Sequence, residues 1–267
     1  MNSLIVSMSR RLQRLPVLGP LFSRVTELER VTLGIVLTAA LAFYAFFFLA
    51  DEVIEGDTRT LDTRILLSLR VPGDPSDPIG PPWLEEAMRD LTALGGTTLL
   101  TLVTLAVLIY LLLLRKGHTA LMVVASIAGG ALLSTVLKWG FARPRPDIVP
   151  HGMEVYTASF PSGHSTMAAV VYLTLGALLA RSQPQQGVKV FLLSLAAVVT
   201  VIVGISRLYL GVHWPTDVLG GWALGAGWAC LCWLTMLWLQ EKGEVETETS
   251  AVVAAPGPAG EPGRPTS

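Results

Sequence analysis

Charge and cysteine are the two things this sequence has least of. Only 15% of its 267 residues are Asp, Glu, Lys or Arg, against about 25% in ordinary soluble domains, which speaks against a fold bathed in water. The formal net charge is −1, so the excess of cations that a general nucleic-acid surface needs is missing. Its two cysteines, Cys230 and Cys232, lie one residue apart inside an apolar run. That spacing suits neither a disulfide nor, without a Cys/His cluster, a zinc site. Both read as core or lipid-facing positions. The segments of about ten residues with alternating polarity that build a membrane β-barrel do not occur either, nor does an internal repeat.

What the chain has is apolar length. Hydrophobic residues make up 52% of it and the mean hydropathy is +0.58. Six segments approach the roughly 20 apolar residues that cross a bilayer: Val31–Ala50, Leu91–Leu114, Thr119–Leu137, Ser165–Ala180, Val190–Ser206 and Val218–Leu239, none containing Lys, Arg, Asp or Glu. The expected fold is therefore all-α, a polytopic bundle of six transmembrane helices. Arg10, Arg11, Arg14, Arg24 and Arg30 precede the first segment and favour a cytoplasmic N-terminus. Six spans return the C-terminus to the same side, along with the basic turns at Arg115–Lys116 and Arg181–Lys189. The first apolar run is too long and starts too late for a cleaved signal.

The first external loop, 51–90, is acidic and proline-rich. Leu61, Ile65 and Leu69 form one helical stripe in it; Leu84, Met88 and Leu91 form another. Both predict short amphipathic helices at the membrane surface, or alternatively a lid over a lipid substrate. Beyond Leu239 the chain is rich in Glu, Pro, Gly and Ala, the composition of a disordered tail.

Polar groups beside membrane spans are expensive and tend to be functional. Here they gather at four helix ends: Lys138 to Arg145, Ser162 to His164, Ser206–Arg207, and His213 to Asp217. Counting spans puts all four on the external face. Lys138, Arg145 and Arg207 supply a point charge and two planar forks suited to phosphate oxygens. Pro161-Ser162-Gly163-His164 opens a helix whose free N–H groups form an anion site, and Gly163 allows close backbone approach. Neutral imidazole is a competent nucleophile toward phosphorus, and a second one can serve as acid and base. Pro215 suits the first turn of the last span, leaving His213 just outside it and Asp217 inside, close enough to pair as in a catalytic triad.

The stretches Lys138–Pro146 (KWGFARPRP), Pro161–His164 (PSGH) and Ser206–Asp217 (SRLYLGVHWPTD) match the three-part signature KxxxxxxRP, PSGH and SRxxxxxHxxxD, with order and internal spacing intact. The chain thus resembles the type 2 phosphatidic acid phosphatase family, which includes the vanadium haloperoxidases, over roughly residues 90 to 237. The resemblance implies a lipid phosphate or diphosphate phosphatase. His213 would form a phosphohistidine, His164 would serve as acid and then base, and Asp217 would orient His213. Lys138, Arg145, Ser162, Gly163 and Arg207 would bind the phosphate, with no metal and no cofactor. Undecaprenyl diphosphate, phosphatidic acid and phosphatidylglycerol phosphate are the implied substrates, the first favoured by an outward-facing site. Asp90–Gly96 looks like a segment common in bacterial members, which implies a bacterial inner membrane. The domain reading is a basic cytoplasmic segment at 1–30, a six-span phosphatase unit at 31–240 and a cytoplasmic tail at 241–267.

Other readings stay open on the sequence alone. The same residues would serve a phosphotransferase with a non-water acceptor. A non-enzymatic lipid transporter would need a polar path that the spans do not offer, and would leave His213 and Asp217 unexplained. In isolation Lys138 fits a snorkelling anchor, Arg207 an interface anchor, and Asp217 a complement to its helix dipole. His118 and His151 match no motif and read as solvated. Tyr209, Trp214 and Trp222 fit an aromatic belt or a lipid cleft, and Gly220, Gly221, Gly225 and Gly227 fit close helix packing.

Overall fold

The computed structural model describes residues 18–147 and 158–242, with side chains from residue 30 onward. The basic positions before residue 18, His151 and the tail from residue 243 lie outside the described residues. Eight helices are present among them: α1 (Leu18–Glu55), α2 (Arg59–Ser68), α3 (Pro82–Ala93), α4 (Thr97–Leu113), α5 (Gly117–Phe141), α6 (Gly163–Arg181), α7 (Gln186–Tyr209) and α8 (Pro215–Glu241). Between α2 and α3 lies a small antiparallel hairpin, β1 (Arg70–Val71) with β2 (Asp74–Pro78), turned at Gly73, whose φ of 91° favours glycine. The sequence pattern gave no sign of this hairpin.

Five of these helices are each long and apolar enough to cross a membrane, and the count rises to six where the bent pair α3–α4 is taken as one broken span. The protein is an all-α integral membrane protein. Its spans are apolar all round because two environments ask the same of them. Leu37, Leu41 and Phe47 of α1, Leu102 and Ile109 of α4, and Phe191 and Val198 of α7 are exposed at the bundle surface, where lipid is the solvent.

The second span differs from the sequence expectation. Leu91 to Ala93 belong to α3, and α4 starts only at Thr97 after a 46° bend. The cause is local: a Cβ on Gly95 would lie 2.4 Å from Val203 Cγ1 and 3.2 Å from His164 Cβ. The chain passes α6 and α7 too closely there for any side chain. In α2, Asp62 and Leu66 are buried against the protein, while Leu61 and Ile65 of the apolar stripe are exposed at the surface.

The centre of the bundle is α6, flanked by α7 and α8, with α1 along α8 and α5 against α6. Half of the apolar stretch of α6 is buried inside the protein, against 17% for α1. Small residues set this spacing, because helices in lipid gain by close van der Waals contact. A Cβ on Gly225 would stand 2.6 Å from the Thr166 carbonyl oxygen, and one on Gly221 would stand 2.9 Å from that of Ser162. The ring of Phe160 fills the space over Gly220 and packs on Phe46, at 5.7 Å, and Phe141, at 4.9 Å. This cluster pins the segment that leads into α6. Tyr209 and Trp214 are buried rather than belted. The Trp222 ring lies over Gly204 and its Nε1–H donates to the Thr200 carbonyl.

Gly225→Ala should therefore push α8 off the α6 backbone. Overpacking of this kind costs about 1–3 kcal/mol, so the apparent melting temperature in detergent should fall and activity should fall with it. A variant as stable as the parent would mean that the two helices have room to spare.

Candidate functional site

Four segment ends meet at one end of the bundle. Ala142, in the left-handed region with φ 46°, ends α5 by donating its N–H to the Lys138 carbonyl. The chain then turns back over the bundle with Arg143 and Arg145. Before α6, Ser162 is the N-cap and its hydroxyl accepts from Ser165 N at 3.4 Å and Ser165 Oγ at 3.0 Å. Its backbone N–H reaches the Asp217 carbonyl at 2.9 Å, which joins the start of α6 to the start of α8. The Ser162 hydroxyl oxygen is thus committed to the cap; for a ligand it keeps its own O–H.

At the start of α8, Pro215 occupies the first turn and Asp217 accepts from the Trp214 backbone N–H at 2.9 Å. His213 and Asp217 are fully buried. The Asp217 Oδ2 lies 3.4 Å from His213 Nδ1, long for a hydrogen bond, and also accepts from the Ser159 hydroxyl. On the other side of the ring, Arg145 Nη1 stands 3.1 Å from His213 Nε2 and donates to the Val212 carbonyl at 2.8 Å. A guanidinium can only donate, so Nε2 is the bare nitrogen and Nδ1 carries the proton. Burial pushes the His213 imidazolium down to about 3, partly opposed by Asp217.

Among the described residues neither Lys138 nor Arg207 has a carboxylate partner. Lys138 Nζ donates to the Ala158 carbonyl at 2.8 Å. Arg207 is 1% exposed, donates from Nη1 to Thr92 Oγ1 at 3.0 Å, and has a buried Nε with no hydrogen-bond partner. His164, in the first turn of α6, lies within the electrostatic field of Arg207, His213, Arg145 and Lys138. Gly163 faces Lys138, since a Cβ there would stand 3.5 Å from Lys138 Cε. A cavity of about 530 Å³ between α4 and α5 ends on Lys138, Gly163 and His164 and is lined further along by Leu105, Leu108 and Ile127. A second cavity, about 430 Å³, holds none of the candidate groups.

The structure thus gathers His164, His213, Asp217, Lys138, Arg145, Arg207, Ser162 and Gly163 at one end of the bundle. Sequence reasoning missed Arg143, Ser159, Thr92, Thr216 and Asp62. Arg143 had a signal, being a second arginine two residues from Arg145 in a chain with few charges. Asp62 had none, as it sat in what read as an apolar surface helix.

A buried arginine and two half-buried cations beside a histidine–aspartate pair, at the end of a helical membrane bundle, form an anion site suited to phosphoryl chemistry at a membrane. The family model of the PAP2 superfamily matches residues 119–241. Phosphatidylglycerophosphatase B of Bacillus subtilis (strain 168) is 40% identical over 145 residues, 54% of this chain and 71% of that protein. The crystal structure of the first transmembrane PAP2 type phosphatidylglycerolphosphate phosphatase from Bacillus subtilis superimposes with a TM-score of 0.68 at 32% identity. It covers 77% of this chain and 96% of that one. A lipid A 1-phosphatase of Rhizobium etli is 31% identical over 115 residues, 40% of this chain and 45% of that protein. The chain belongs to the PAP2 superfamily. It is a membrane-embedded phosphatase that hydrolyses phosphate esters.

The buried, neutral His213 makes stability depend on pH. The unfolded chain takes up a proton near 6.5, while the folded site resists it down to about 3. This contribution is complete above about 6.5 and erodes as pH falls from there toward 3. The apparent melting temperature in detergent should drop between pH 7.5 and 5, and His213→Gln should flatten that slope.

Proposed function

We propose that this protein releases phosphate from a membrane lipid through a phosphohistidine at His213. The observation that carries the reading is a buried arginine and a lysine that have no carboxylate partner among the described residues, beside a buried histidine–aspartate pair. Charges held away from water without a counterion are costly. A tetrahedral phosphate supplies the missing anion.

Lys138, Arg145, Arg207, the Ser162 hydroxyl and the Gly163 backbone N–H hold the phosphoryl oxygens, with the positive end of α6 adding to the field. Phosphate draws Arg145 off His213 Nε2 and frees that lone pair. Nε2 attacks phosphorus in line as the bond to the lipid oxygen breaks, and His164, protonated once the bound phosphate offsets the surrounding cations, gives its proton to that oxygen. Nδ1–H stays on its ring and leans on Asp217, a contact that tightens as the imidazolium charge develops. His164, now neutral, takes a proton from water. The resulting hydroxide attacks phosphorus, the N–P bond breaks, and phosphate leaves with His213 regenerated. No step draws on a metal ion or cofactor.

The cavity between α4 and α5 suits the lipid chains, because its apolar walls lead sideways to the cationic end. Phosphatidylglycerol phosphate is the leading substrate, supported by the Bacillus subtilis phosphatase matches in sequence and in structure. Undecaprenyl diphosphate is the second, supported by an undecaprenyl-diphosphatase of Sulfolobus acidocaldarius, 37% identical over 82 residues. Arg115, Lys116, Arg181 and Lys189 sit at the helix ends opposite the site. By the excess of cations on cytoplasmic ends, the site faces outward from a bacterial inner membrane and both termini are cytoplasmic.

The test is phosphate release by purified protein in detergent from phosphatidylglycerol phosphate, phosphatidic acid and undecaprenyl diphosphate, with EDTA present. Release should persist in EDTA and vanish in His213→Ala. Lys138→Ala should lower kcat about 10²–10³-fold, the loss typical of one preorganised charge contact. Near-normal turnover in His213→Ala would sink the covalent route. Phosphate recovered on an added alcohol instead of in water would turn the reading to a transferase.

A further inference from the structure

Residues 58–92 lie before the region matched by the family model, yet they reach into the catalytic end. Asp62 of α2 has 0% exposure. Its Oδ1 accepts the Thr216 backbone N–H at 3.0 Å, and its Oδ2 accepts Thr216 Oγ1 and Arg143 Nη2, each at 2.7 Å. The other arm of Arg143, Nη1, donates to Asp217 Oδ1 at 2.6 Å and to Thr216 Oγ1 at 2.8 Å. One guanidinium fork therefore spans two buried carboxylates, one of which is the partner of His213.

We propose that Asp62, acting through Arg143, is a positioning residue for the Asp217–His213 pair. This rests on the reading of His213 as the nucleophile. Asp217 has two oxygens with different duties: Oδ1 takes Arg143, while Oδ2 takes Ser159, the Trp214 N–H and the imidazole side. An arginine beside one carboxylate alone prefers to bind both of its oxygens. Asp62 holds the second arm of Arg143, so Oδ2 stays turned toward His213. It also offsets the cation. On the Nδ1 side of the ring, two carboxylates and one guanidinium leave one net negative charge, which favours an imidazolium forming during attack. Without Asp62, Arg143 neutralises Asp217 and draws it off line.

This accounts for an aspartate with no solvent exposure on a loop helix whose apolar stripe faces outward. A surface anchor would need only that stripe. Asp62 neither touches the cationic cradle nor lines the cavity that ends on it. Its effect therefore falls on turnover rather than on phosphate binding.

The experiment uses the full-length protein in detergent with p-nitrophenyl phosphate, so that the choice of lipid does not enter. Asp62→Asn keeps shape and removes charge; Arg143→Lys keeps charge and removes the fork. Each should lower kcat by up to about 100-fold, the scale of loss when a reacting group is misplaced by an ångström, with KM and inhibition by inorganic phosphate unchanged. Combined with Asp217→Asn, Asp62→Asn should cause no further loss, because its route to His213 is already cut. A purely structural residue would give additive losses and a lowered melting temperature in both backgrounds. Additive losses, a raised KM with kcat intact, or full activity in Asp62→Asn would each overturn the proposal. His213→Ala is the control: if it stays active the nucleophile reading fails, whereas if it is dead while Asp62→Asn is fully active, only this inference falls.

Discussion

A buried carboxylate at the edge of a membrane is the constraint around which this end of the molecule is arranged. Asp217 has no solvent exposure, and a charge held away from water is tolerated only when partners replace its hydration. Those partners come from separate stretches of chain: the Trp214 backbone at the start of α8, Ser159 before α6, Arg143 after α5, and His213. Satisfying one carboxylate therefore fixes how three membrane helices meet. The same bonds that make it stable there aim it at the imidazole.

Two kinds of cation then divide the work. Arg143 is held by carboxylates on both arms, stacks near Trp214 at 5.7 Å, and belongs to the frame. Among the described residues, Lys138 and Arg207 make single bonds to a carbonyl and a hydroxyl and meet no carboxylate. Their charge is left for a ligand. Residue type does not separate these groups; the acids around them do. In a chain with a net charge of −1, the electrostatics of function arise from where the few charges are neutralised and where they are not.

Small residues make this arrangement possible. The α6–α8 contact depends on Gly221 and Gly225, and the passage of the α3–α4 bend beside His164 depends on Gly95. A bundle packed at larger spacing would still span the bilayer. It would hold Ser162 too far from Asp217 to make the backbone bond that joins the two helix starts.

By itself the sequence determined the membrane architecture, because runs of about 20 apolar residues have few other fates. It also determined which side chains share an end of the bundle, since counting spans assigns each polar cluster to a face; His164, His213, Asp217, Lys138, Arg145 and Arg207 were legible that way. Lateral neighbours were beyond it. Arg143 meets Asp62 across 81 positions and Arg207 meets Thr92 across 115, and neither pairing has a period or spacing to announce it. The break of the second span at Gly95 was hidden too, because apolarity runs through it and only the crowding of α6 and α7 forces the bend. Hydrophobic pattern encodes depth and helix face, whereas which arginine is neutralised depends on contacts that exist only once the helices have packed.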